Sequence, residues 1–343
     1  MFTSKSQFYN NSETEQKPNQ VVDVSDWSIG DLSPYREGTR DKSLVVSPVA
    51  INSNYPFILP EHSYLLKKSY RVEKTGNILH YQFWNEIIAY KLGRALGVKV
   101  PPAFVARYNK AGNESFYGSL IEWFYNYDDG VKDNVKRGSE IIIWYIAGYD
   151  VEKGEAHNLQ TVMKIFEDEQ VQDWLKDLTE MLTLDAIIGN TDRHQDNWQI
   201  IDYALAQKRL LSPAFDNGTS LCYNIREEQV DKWLGNDWKN KQASQIKNGY
   251  HHMKWQLYDN KPANHKPDNH FTLLQKMVGQ FPECLSTIQN VINQDISGFL
   301  EEIDSLCEFE ILDERYKLSN KRADFIKRII EYRLQHAKEL FGT

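Results

Sequence analysis

The chain has 343 residues, 41% hydrophobic and 26% charged, with a formal net charge of −8. That length allows one large domain or two lobes with an ample core, and the acidic balance disfavours direct nucleic-acid binding. The polar start MFTSKSQFYNNSETEQ has no apolar signal segment, and no window approaches ~18 uninterrupted apolar residues, so a cytoplasmic protein with no membrane span is expected.

Residues 1–21, rich in Ser, Asn, Gln and charge, have a composition expected to be disordered. Residues 22–125 read as a strand-rich N-lobe. Within it Gly38 marks a turn before the β-branched run 44–46, and beside Lys42 such a turn brings backbone N–H groups and an ammonium to phosphates. The run SYLLKKS at 63–69 is a strand whose alternation puts Lys67 and Lys68 on opposite faces, so only one enters a cleft. Helical periodicity over 82–96, carried by Phe83, Ile87, Tyr90, Leu92 and Leu96, stops at Gly97 and Pro101–Pro102. Glu86 lies beside that buried stripe, where it either pairs with a strand lysine or remains a surface residue. Two further strands are expected at 103–107 and 115–124 around a turn at 109–112.

The polar run 126–138 is expected to be a linker and the hinge, and 126–343 a mostly helical C-lobe. There, 170–188 is an amphipathic helix with Trp174, Leu178, Met181, Leu182 and Leu184 at helical intervals. Residues 200–201 and 209–211 suggest a hairpin, and helices dominate from Arg226 to a last helix at 323–341. The Lys and Arg residues of that last helix are read as solubilising or as complementing its C-terminal dipole. His251, His252, His265 and His270 sit in loop-like surroundings without the spacing of a zinc site. Cys222, Cys284 and Cys307 form no CxxC pair and read as reduced thiols.

The chemistry concentrates between Leu184 and Leu221. Asp192, Asn197 and Asp216 stand among apolar neighbours, and a carboxylate so placed is costly unless paired or bound to a cation. Asp192 and Asn197 have the Asp-x-x-x-x-Asn spacing of a protein-kinase catalytic loop, and Asp216-Asn217-Gly218 stands where Asp-Phe-Gly would. One Asp accepting a hydroxyl proton, with Asn and a second Asp holding Mg²⁺ against phosphate oxygens, makes a phosphoryl-transfer site.

Taken in order, these segments resemble the HipA-like serine/threonine kinases, the toxin components of bacterial toxin–antitoxin systems. Gly38-Thr39-Arg40-Asp41-Lys42 looks like the family's phosphate loop, and Tyr64-Leu-Leu-Lys67 like its lysine strand, which selects Lys67 over Lys68. Asn85-Glu86 with the Ala-Leu-Gly-Val-Lys-Val-Pro run that follows, and Glu122-Trp123-Phe124, are similar to its helix and hinge. Ile188-Gly-Asn-Thr-Asp-Arg-His-Gln-Asp-Asn197 and Leu211-Ser-Pro-Ala-Phe-Asp216 match its catalytic and metal segments. The resemblance implies an α+β, two-lobed protein-kinase-like fold and ATP-dependent phosphorylation of a protein Ser or Thr. It also implies roles: Asp192 as catalytic base, Asn197 and Asp216 as Mg²⁺ ligands, and Lys67, paired with Glu86, on the phosphates. The segment Gly38 to Lys42 would cover those phosphates, Glu122 to Phe124 would border the adenine, and His194 would sit near the nucleotide. Tyr35 stands where the family has its autophosphorylated serine. The missing N-terminal subdomain implies a separate small subunit or antitoxin as partner. The alternatives are a phosphatidylinositol-kinase-like lipid or small-molecule kinase, which shares the Asp-Arg-His-x-x-Asn order, and a pseudokinase interaction module.

Overall fold

The computed structural model describes residues 15–29, 42–69, 76–109, 115–125, 133–154, 156–204, 207–256 and 268–342. The strands of the first part are β1 (Val22–Asp23), β2 (Ser28–Ile29), β3 (Lys42–Val46), β4 (Ser63–Lys68), β5 (Ala103–Tyr108) and β6 (Phe116–Glu122). They form one sheet in the order β1-β5-β6-β4-β3-β2, antiparallel except where β1 lies beside β5. β4 is held on both sides, with Lys67 opposite Lys42 of β3 and Ser119 of β6. A side chain at Gly118 would collide with the Lys67 carbonyl oxygen, so glycine there lets β6 close on the lysine strand.

Helix α1 (Trp84–Leu96) packs on this sheet through Ile87, Ile88 and Leu92, all nearly inaccessible. Each such aliphatic side chain stabilises the packing by roughly 1.5–3 kcal/mol. Gly97 ends the helix with a left-handed φ of 71°, and its N–H and that of Val98 return to the last carbonyls. The following loop ties the two parts together: Lys99 Nζ pairs with Asp177 at 2.9 Å, and Ala214 N–H donates to Lys99 O at 2.8 Å.

The second part holds a small antiparallel sheet, β7 (Asn134–Arg137), β8 (Gln199–Tyr203) and β9 (Lys208–Leu211), paired in that order. Its helices are α2 (Gly138–Tyr145), α3 (Leu159–Asp168), α4 (Trp174–Ile188), α5 (Val230–Leu234), α6 (Trp238–Asn248), α7 (His270–Gln280), α8 (Cys284–Ile292), α9 (Ser297–Leu306) and α10 (Asn320–Phe341). α4 is buried without interruption from Asp177 to Ile188 and is surrounded by α7, α8 and α10. Among the described residues no helix is long and apolar enough to cross a membrane.

Four expectations are corrected. Residues 15–21, expected to be disordered, lie against β5: Gln16 is buried, and its amide exchanges hydrogen bonds with both backbone groups of Val105. The polar run 126–138 is not all linker, because 134–137 form β7, paired with β8 through Val135 and Ile201; residues 126–132 lie outside the described set. The helix expected from 170 begins at 174, since Gln170 and Asp173 both take a φ of 52°, which breaks the helix. The basic residues of the last helix are not all solvated: Arg333 is buried, and so is Arg322, which lies in the turn the structure adds before 323, pairs with Glu227 and stacks 3.9 Å from the Tyr81 ring.

Candidate active site

β4 points Lys67 inward and Lys68 to the other face, where its Nζ lies 4.6 Å from the centre of the Phe116 ring. Lys67 Nζ is 2.8 Å from Glu86 Oε1 on α1 and 2.8 Å from Asp216 Oδ1. Glu86 is therefore a buried partner, not a surface residue. Its second oxygen accepts the Asn217 N–H at 2.9 Å. Asp216 turns the chain into that contact through a left-handed φ of 56°, a conformation that Asp tolerates better than most residues. One carboxylate on α1 thus fixes both the lysine strand and the segment carrying Asp216.

Asp192 and Asn197 lie on the loop between α4 and β8. Asn190 Oδ1 accepts the Asp192 N–H at 3.1 Å, and Asn197 Nδ2 donates to the Asp192 carbonyl at 2.6 Å. With its N–H₂ so engaged, Asn197 presents its Oδ1 as the atom suited to a hard cation. His194 Nδ1 accepts the Asp196 N–H at 3.2 Å, so this side chain also anchors the loop it belongs to.

Two residues absent from the sequence-based site hold the loop from behind. Arg193 and Asp185 are both wholly buried, joined at 2.8 Å and 3.0 Å. The remaining Arg193 donors reach Asn197 O, Phe215 O and Asn217 Oδ1, which fastens the Asp192 loop to the Asp216 segment. Burial alone would raise the Asp185 carboxyl, but the Arg193 charge and the His251 contact hold it well below the usual range. Burial likewise opposes the Arg193 charge, and Asp185 outweighs it. A charged residue in the apolar run Leu184-Asp-Ala-Ile-Ile188 was the available signal. His251 and His270 serve the same scaffold: His251 Nε2 lies 3.3 Å from Asp185 Oδ2 and His270 Nε2 2.6 Å from Asn190 O.

Lys42, Lys67, Glu122, Trp123, Phe124, His194, Asn197 and Asp216 line one cleft of about 580 Å³. Glu86 stands behind Lys67, and Asp192 is joined to the cleft wall through Asn197. Arg137, Lys153 and His252 also border it and were not anticipated. The expected Gly38, Thr39, Arg40 and Asp41, and Tyr35, lie outside the described residues. At the inner end, Phe124 and Phe215 rings sit 5.4 Å apart within an apolar cluster that includes Leu44 and Ile201. Trp123 N–H donates to Ser63 O, its carbonyl lies 3.0 Å from His62 Nε2, and Phe124 O accepts from Tyr203.

The sequence profile of the HipA-like C-terminal domain matches residues 37–291, a span that holds every side chain lining the cleft. The chain belongs to this family. The expected resemblance and the kinase-like fold are both upheld. The crystal structure of the Helicobacter pylori proinflammatory kinase CtkA superposes with a TM-score of 0.65 at 16% identity, covering 94% of this chain and 95% of that one. HipA from the Shewanella oneidensis toxin–antitoxin complex with HipB and operator DNA gives 0.43 at 11% identity, over 90% of this chain and 65% of that one. The golgi casein kinase gives 0.40 at 13%, over 95% and 74%. No curated protein matches the sequence. This HipA-like chain therefore has a kinase-like fold, with a strand-rich part and a helical part meeting at the cleft.

Proposed function

We propose that this HipA-like chain is an ATP- and Mg²⁺-dependent protein serine/threonine kinase acting in the cytoplasm. The observation that carries the reading is Lys67, bonded at 2.8 Å to both Glu86 and Asp216 on the wall of a cleft of about 580 Å³. A lysine fixed by a helix carboxylate beside a second, cleft-facing carboxylate is the arrangement that phosphoryl transfer requires, since catalysis there is chiefly positioning and charge neutralisation.

Each residue then has a task. The apolar side chains of Leu65, Ile121, Phe124 and Phe215 on the cleft wall take the purine, with the Phe124 N–H as the edge donor. Lys67 and Lys42 meet the phosphates, a task that the family resemblance gives also to Gly38, Thr39, Arg40 and Asp41. Asp216 and the Asn197 Oδ1, one carboxylate and one amide oxygen on the cleft wall, would hold a hard cation. When bound, Mg²⁺ neutralises the charge that develops on the transferred group. Asp192 accepts the proton of the acceptor hydroxyl, its backbone held by Asn190 and Asn197. The acceptor is a protein side chain, and a small subunit or antitoxin is the partner this reading carries with it.

Incubation with γ-labelled ATP, Mg²⁺ and cell lysate is expected to label protein. Asp192→Ala and Lys67→Ala should abolish that label, whereas Lys68→Ala, on the opposite face, should retain it. Wild-type labelling by Asp192→Ala, or label appearing in lipid alone, would overturn the assignment.

A further inference from the structure

A second cavity, of about 600 Å³, lies on the other side of the loop that carries Asp192. Its walls are the end of α4 with Gly189 and Thr191, the segment after Asp216 with Thr219 and Asn224, and α6 and α10. Arg333 of α10 lines it and is only 3% exposed. Its Nε donates to Ala186 O at 2.7 Å, at the C-terminal turn of α4. The guanidinium also packs over Gly189, where a Cβ would come within 3.2 Å of its Cζ.

What distinguishes Arg333 is the lack of a counter-charge. Its Nη2 has no hydrogen-bond partner, and among the described residues no Asp or Glu forms an ion pair with it. Arg193, equally buried, has Asp185, two carbonyls and an amide. Burial pushes the Arg333 guanidinium down to about 10, with the Cys222 thiol the one neighbour acting in the other direction. A charge withdrawn from water without a counter-charge is among the costlier things a fold can hold, and the Phe271 ring, 5.6 Å from the Arg333 Cζ, supplies none. Lys241 adds a second positive side chain to the wall. The acidic wall residue, Asp237, is exposed and accepts from Asn240, and His270 is neutral, its pKa pushed down to about 3 by burial and the Arg333 charge.

We infer that this cavity is an oxyanion site, in which a phosphate monoester or a carboxylate supplies the counter-charge that Arg333 lacks. The guanidinium is a charged donor that such groups match, though its Nη2 is closed off from solvent; Thr191, Asn224 and Ser244 place hydroxyl and amide groups on the same wall, while the Thr219 hydroxyl donates to Asn190 Oδ1 at 3.1 Å. The site is separate from the nucleotide cleft. Thr191 adjoins Asp192 and Thr219 follows Asp216, so an anion held here bridges the two loops of the proposed active site and keeps them in register. That consequence rests on the proposed function; the binding itself does not.

Inorganic phosphate is the probe, titrated calorimetrically into the full chain without nucleotide or divalent cation. Because the cleft is itself a phosphate site, Lys67→Ala is the reference protein. One saturable phosphate site is expected to survive Lys67→Ala and to weaken at least tenfold on adding Arg333→Gln. Ser244→Glu, at an exposed position of α6 on the cavity wall, puts a carboxylate into the cavity and is expected to have the same effect without disturbing a buried residue. It decides the matter should Arg333→Gln fail to fold. Phosphoserine and acetate, run as competitors, distinguish a phosphate monoester from a carboxylate as the preferred group. Binding that disappears in Lys67→Ala, or persists unchanged in Ser244→Glu, overturns the proposal, as does wild-type protein that binds none of the three. None of these readings uses catalytic turnover, so an inactive enzyme leaves the result interpretable.

Discussion

Two charged clusters meet at the segment that begins with Asp216, and they differ in their access to water. In the first, Lys67 joins Glu86 and Asp216; in the second, Arg193 joins Asp185. The nitrogen–oxygen distance is 2.8 Å in both, so separation does not distinguish them. The surroundings do. Asp185 and Arg193 are at 0% exposure, while the Asp216 side chain retains 25% on the cleft side. An ion pair closed off from water, with its donors engaged, holds a geometry that no solute reaches. A cluster open at one corner can exchange a partner there, and the open corner is the carboxylate proposed to hold Mg²⁺. One cluster is scaffold and the other is the proposed site, and Asn217 touches both: its N–H bonds Glu86 and its Oδ1 accepts from Arg193.

The largest effect that tests this contrast is on activity. Asp216→Asn keeps a residue that tolerates the left-handed backbone and leaves Lys67 paired with Glu86. It is expected to lower phosphorylation by roughly a thousandfold or more, about 4 kcal/mol in the transition state, while the urea midpoint stays near that of the wild type. In cells, if expression of the wild type arrests growth, this variant should relieve the arrest. Asp185→Ala should behave in the opposite way, costing about 3–5 kcal/mol of stability because Arg193 is left buried and unpaired. Urea unfolding of the two variants decides the matter. Equal loss of stability in both would mean that the open and closed clusters do not differ in role.

The candidate site's geometry was legible where its signal is local. Alternation along SYLLKKS separated Lys67 from Lys68, and the Asp192 to Asn197 spacing marked a loop closed by its own hydrogen bonds. The hairpin around 200–211 and the C-terminal helix were likewise written in short-range patterns. What escaped is pairing across long separations. Asp185 and Arg193 are ordinary charges in the chain until α4 is surrounded on every side. Arg333 is one cation among several on an amphipathic helix, and only the packing of α10 against α4 removes it from water. β7 carries one apolar residue, Val135, and becomes a strand because β8, more than sixty residues later, offers an edge. Gln16 shows the same limit: its composition predicts disorder, and its amide finds the backbone of β5.

The smallest effect concerns two histidines beside the Asp192 loop, of which His270 backs the closed cluster and His252 borders the cleft. His270 is 2% exposed, and burial followed by the Arg333 charge pushes its pKa from 6.5 to about 3. Burial and then the neighbouring His194 push His252 down to about 4. Below pH 6.5 the unfolded chain takes up protons that the folded chain refuses, so stability must fall as pH drops toward those folded values. Asp185, held far below its ordinary range, stays charged across the same interval, so the closed pair itself is not what weakens. His270→Gln removes one titrating ring and retains an N–H for Asn190 O. Between about pH 7 and about pH 5 its loss of stability should be smaller than that of the wild type by about 2 kcal/mol, since one group contributes about 1.4 kcal/mol per pH unit once pH falls below its unfolded pKa. Urea midpoints at the two pH values measure it. Parallel losses in the two proteins would show that the scaffold behind the Asp192 loop admits a proton, and the closed cluster would then not be closed.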